Sequence, residues 1–73
     1  MSEAILSRVY IFIRNYIHEV GYSPSWQEIR NSCNLSKWAT QEAISILGTR
    51  GKITWTEGVV RSYRLTEEET SRK

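Results

Sequence analysis

Seventy-three residues, a quarter of them charged and with a formal net charge of +2, make one small domain that buries only about 60–65% of its unfolded surface. The single cysteine, Cys33, excludes an internal disulfide and fits a reducing cytoplasm; no apolar run approaches the ~18 residues of a membrane-spanning helix, and no signal peptide is expected, since the first residues lack a basic region followed by an uninterrupted apolar stretch. With no Asp, one His, one Cys, no metal-ligand spacing and no Gly-rich phosphate loop, an enzyme is not expected, nor any catalytic residue, metal or cofactor.

The first helix is predicted from Glu3 to Val20. Ile5, Val9, Phe12, Ile13, Tyr16, Ile17 and Val20 recur at spacings of three and four and form an amphipathic stripe. Tyr10 and Ile11 fall at its edge. Gly21 suits the position after a helix end, and Pro24 prevents continuation. Ser25 and Glu28 have the spacing of a capping box, so a second helix starts at Trp26, with Ser23-Pro24 a rival start two residues earlier, and runs to Cys33, with Trp26, Ile29 and Cys33 facing inward. Cys33 at that helix end, with no His nearby, reads as structural. Leu35 plugs a tight turn, and Ser36 is the natural N-cap of a third helix that ends near Arg50-Gly51. In that helix Thr40, Ala43, Ile44 and Leu47 share the inner face. Lys37, Trp38, Gln41, Glu42 and Ser45 share the outer one, and Gly48 and Gly51 bracket a fraying end.

Lys52 to Thr56 and Val59 to Leu65 alternate, and Glu57-Gly58 between them signals a hairpin. Trp55 and Tyr63 are expected to pack on the first helix. The order is therefore α+β but mostly α: three helices and a two-stranded hairpin, the plan of a winged helix-turn-helix over residues 1–65, followed by a polar, flexible tail at 66–73. Charge divides unevenly along it. In residues 1–36, Arg8, Arg14 and Arg30 balance Glu3, Glu19 and Glu28; in residues 37–65, Lys37, Arg50, Lys52, Arg61 and Arg64 outnumber Glu42 and Glu57. Such a distribution suits a phosphate-facing surface.

The run Phe12-Ile13-Arg14-Asn15-Tyr16-Ile17, the turn Gly21-Tyr22-Ser23-Pro24-Ser25, Glu28-Ile29, and Arg61 to Leu65 after Gly58 resemble the N-terminal DNA-binding domain of the LexA repressors, from roughly Glu3 to Leu65. The resemblance implies a winged helix that puts its third helix against bases. Aligned back from Leu47, the first turns of that helix hold Trp38, Ala39, Gln41 and Glu42 at the reading positions. Ser36-Lys37-Trp38-Ala39 departs from the family there, and Glu57 and Val59 depart at the wing tip, so the LexA operator is not implied. The self-cleaving, dimerising domain of those repressors, with its catalytic Ser and Lys, has no counterpart in these residues, so no autoproteolysis is expected.

The base-reading candidates are thus Lys37, Trp38, Ala39, Gln41, Glu42 and Ser45. Gln41 can pair with adenine, Glu42 can accept from cytosine, and Lys37 can reach guanine or a phosphate. Trp38 could meet thymine methyls, the backbone, a protein partner or the core. Ser25, Trp26 and Gln27 at the start of the second helix, with Lys52, Arg61 and Arg64 in the wing, are the backbone candidates. The expected partner is double-stranded DNA, with a homodimer, formed on DNA or through Ile11, Tyr10, the hairpin or the tail, if binding is to be tight. The rival reading is a winged-helix protein-interaction module, for example a phage- or plasmid-encoded modulator of a host factor, that uses Trp38 and the wing.

Overall fold

The computed structural model describes residues 1–66; the greater part of the expected tail, 67–73, lies outside them. Three helices precede a small antiparallel wing: α1 (Glu3–Val20), α2 (Trp26–Cys33), α3 (Lys37–Thr49), β1 (Ile53–Thr54) and β2 (Arg64–Leu65). Each helix starts on a serine. Ser2 Oγ accepts from the Ile5 amide and Ser36 Oγ from Ala39. At α2 the capping box is complete: Ser25 Oγ accepts from the Glu28 amide at 3.2 Å, and Glu28 Oε1 accepts from the Ser25 amide at 3.0 Å. These bonds satisfy amides that the first helical turn leaves without partners.

The helix ends are equally local. Asn34 takes a left-handed conformation (φ 57°), its amide donating to Asn31 O while the Leu35 amide donates to Arg30 O. This is the double closure of a Schellman motif, with an Asn where Gly is commonest. Gly51 (φ 77°) ends α3 in the same way, through Gly51 N–H to Gly48 O and Lys52 N–H to Leu47 O. The end of α3 is therefore capped, where fraying was expected.

Leu6, Val9 and Ile13 of α1, Ile29 and Cys33 of α2, Ala43, Ile44 and Leu47 of α3, and Ile53 and Leu65 of the wing form one buried cluster. The inner face of α3 is as the periodicity predicts, with Thr40 fully buried and its hydroxyl bonded to Ser36 O at 2.8 Å. In α1 the stripe is turned slightly: Leu6 is buried, Ile5 only half-buried, and Val20 exposed. Arg8 donates to Cys33 O while the Cys33 thiol donates to Arg8 O, tying α1 to the end of α2.

The wing departs from the tight hairpin read from Glu57-Gly58. A two-residue loop there would set Ile53 opposite Ser62, whereas Ile53 pairs with Leu65 and Thr54 with Arg64. Directly opposed residues share a sheet face, and an odd-numbered slip exchanges the faces. Ile53 and Leu65 are both buried, so the core demands this register and the turn signal yields. Residues 55–63 consequently form a nine-residue loop, turned by the Val59 N–H to Thr56 O bond and by left-handed Gly58 and Arg61. Trp55 was expected on α1; its ring is seated on α3 instead, where a Cβ added at Gly48 would lie 2.7 and 2.8 Å from two ring carbons. Tyr63 packs beside it with its ring tilted by 58°, the centroids 5.9 Å apart. Thr66, placed in the tail from sequence, is held at the wing base by its amide bond to Lys52 O and its hydroxyl bond to Gly51 O.

Candidate nucleic-acid interface

The outer face of α3 starts one residue after the Ser36 cap, so its first turn is fixed at its origin. Lys37, Trp38, Gln41 and Ser45 are exposed there, and Ala39 and Glu42 are half-buried. Trp38 is 68% exposed, which overturns the reading that tucks it into the core. The ring therefore lies on the solvent side of the capped helix. Lys37 does not extend straight from this face: its ammonium sits 5.9 Å above the Trp26 ring, joining the starts of α2 and α3. Trp26 itself packs against the core, and Gln27 is exposed beside it.

The wing meets this face along an open groove of about 480 Å³ lined by Ser45, Gly48 and Thr49 of α3 and by Thr54, Trp55 and Glu57. Glu57 accepts from the Trp55 indole N–H at 3.0 Å, so one of the two carboxylates expected near the interface is engaged within the wing. The wing tip is apolar: Val59 is 55% and Val60 75% exposed. Ser62 fixes their loop: its one hydroxyl proton lies between Val59 O at 2.9 Å and Thr56 O at 3.2 Å, and its oxygen accepts from the Thr56 amide. Arg64 is exposed on β2, and Lys52 is half-buried at the start of the wing.

The basic half of the sequence is partly neutralised in space. Arg50 forms a two-point pair with Glu3, at 3.0 and 2.7 Å, fastening the start of α1 to the end of α3. The Arg50 guanidinium holds the Glu3 carboxyl below its usual range. Arg61 forms a second two-point pair with Glu28, at 2.8 and 2.9 Å, and also donates to Ser23 O and the Tyr16 hydroxyl. Its guanidinium lies 5.4 Å from the Tyr22 ring centre. Hydrogen bonding from Arg61, and then from the Ser25 amide, lowers the Glu28 carboxyl to about 2. Arg61 is thus directed at the protein's own α2 start, and the Ser25 hydroxyl and amide are both occupied by Glu28. Sequence reasoning placed Arg61 and Ser25 among backbone contacts and missed this cluster: Glu28 and Arg61 stand 33 positions apart, and no local pattern links them.

Cys33 is buried, and burial pushes its thiol up from the ordinary value, which suits its packing role. Among the described residues, no group of three His, Cys, Asp or Glu side chains comes together to hold a metal ion, and no helix is long and apolar enough to cross a membrane.

Compared with protein-family models, the chain matches that of the LexA DNA binding domain over residues 6–62. No curated protein matches it.

Proposed function

The chain belongs to the LexA DNA-binding domain family, and on that footing we propose that it is a small transcriptional regulator, a repressor that reads a specific double-stranded sequence with α3 in the major groove and the wing on the backbone or minor groove. The observation that carries the reading is the outer face of α3: Lys37, Trp38, Gln41 and Ser45 stand exposed together on a helix capped at Ser36 and flanked by an ordered wing. Ala39 and Glu42 border that face. Gln41 offers the donor and acceptor pair that adenine presents, and Trp38 a surface for thymine methyls. Lys52 and Arg64, with Trp26 and Gln27 at the start of α2, are assigned to phosphates, which fix register without reading sequence; Ser25, engaged by Glu28, is left out of that set.

One domain of this size offers a modest contact area, so tight binding calls for two copies on half-sites about 34–36 Å apart or a multiple of that. The test is selection of bound sequences from a random duplex pool, followed by binding against salt. Enrichment of one motif is expected, with log affinity falling against log salt by about 0.9 per phosphate neutralised. No enrichment, or binding indifferent to salt, refutes the proposal.

The exposure of Trp38, Val59 and Val60 favours a second reading, an interaction module for a protein partner such as a host factor. In that case Trp38→Ala abolishes binding to the partner, and no duplex is selected.

A further inference from the structure

We propose that Arg61 is a positioning residue for DNA binding, a clasp that fixes the angle of the wing to the helix-turn-helix unit by acting through Glu28; this rests on the DNA-binding reading above.

The base of the wing is held by buried Ile53 and Leu65 and by the bonds of Thr66, but its outer part is held less. Its strands pair at two positions only, and residues 55–63 leave the sheet altogether. One flank of that loop is seated by Trp55 on Gly48. The other, residues 61–63, is tied to the turn before α2: Arg61 donates to Ser23 O at 3.2 Å, and the Tyr63 amide donates to Ser23 Oγ at 3.0 Å. The two-point bond from Arg61 to Glu28 completes this attachment. Its receiving carboxylate is the one that caps α2 through the Ser25 amide, so wing and α2 share a single anchoring group.

The backbone supports the same assignment. Arg61 is left-handed, at φ 59°, a conformation rare for a residue with a side chain, which persists where the surroundings over-determine it. Four partners, namely Glu28, Ser23 O, Tyr16 and the Tyr22 ring, over-determine this one. The pair remains partly open to solvent, each side chain 38% exposed, so its contribution to global stability is screened and modest. Its effect falls on geometry.

Three variants separate a clasp from a phosphate contact. Glu28→Gln keeps a capping-box residue at that position but removes the ion pair and one negative charge. Arg61→Gln and Arg61→Lys remove the two-point bond, the latter keeping the charge. Two readouts are needed: heteronuclear relaxation of amides 56–62 in the free protein, and affinity for the selected duplex across a salt series. A clasp predicts increased wing mobility in all three variants and several-fold weaker binding in each. It also predicts a salt dependence unchanged from wild type in Arg61→Gln, and no rescue by Lys. A phosphate contact predicts the opposite pattern: Glu28→Gln binds more tightly, Arg61→Lys retains affinity, and Arg61→Gln lowers the salt slope by about 0.9. Any of those three results, or wing amides as rigid in the variants as in wild type, overturns the proposal. If wild type itself binds no duplex, the DNA-binding reading fails, and with it the role of Arg61 in binding, while the relaxation data still report whether the wing is clasped.

Discussion

Gly48→Ala tests how the wing is seated on α3. In an open helical position, replacing Gly by Ala stabilises by about 1 kcal/mol. Here the added methyl carbon would stand 2.7 Å from a Trp55 ring carbon, against the ~3.5–4.0 Å at which carbon atoms attract. The ring must therefore retreat by about 1 Å, yet its indole N–H is bonded to Glu57 and its face rests beside Tyr63. Overpacking of this kind costs about 1–3 kcal/mol, so the expected net change is a loss of about 1 kcal/mol, or a melting point lowered by roughly 4–8 °C in a domain this small. Thermal unfolding followed by circular dichroism measures it. The same substitution made in a Trp55→Leu background should reverse sign and stabilise, because the obstructing ring is gone. A higher melting point for Gly48→Ala alone, or an equal penalty in both backgrounds, would refute the seat.

Two further outcomes follow from the geometry. Glu28 has a lowered carboxyl value in the folded protein, about 2 against 4.5, so its contribution is present above the unfolded value and lost as pH falls from about 4.5 toward 2. The stability difference between wild type and Glu28→Gln, measured by urea unfolding across that range, should shrink to nothing at the acid end; a difference that grows on acidification contradicts the pairing. Asn34 is left-handed at φ 57°, so Asn34→Gly should be neutral or slightly stabilising. Asn34→Ala should cost about 1 kcal/mol, and equal melting points for the two variants would count against the cap.

What was legible in the sequence is what is local. Ser25 with Glu28, Ser36, Gly21 and the inner face of α3 are set by bonds or spacings within one or two turns, and each appears in the fold as read. The adjacent Ile5 and Leu6 show the limit of periodicity: either fits a stripe, and only the packing of α2 and α3 against α1 selects Leu6. The hairpin register failed for a related reason. Glu57-Gly58 is a genuine turn signal, but burial of Ile53 with Leu65 outweighs it. The exposed face of α3 was foreseen by elimination, because its inner residues were apolar or small, except that Glu42, expected in solvent, is half-buried. The pairs Glu3–Arg50 and Glu28–Arg61 were not, since charges remote in sequence carry no mark of their partners, and they change the surface from broadly basic to selectively so.

The nine-residue loop of the wing has a consequence for how such a protein can change. Its tethers, at Trp55, Arg61 and Tyr63, lie on its two flanks. Gly58, Val59 and Val60, all exposed, lie between them, outside the sheet and outside the core. Substitutions at Val59 and Val60 therefore cost the fold little. The side chains of the tip, left-handed Gly58 apart, can thus diverge without the domain first accumulating stability to spare.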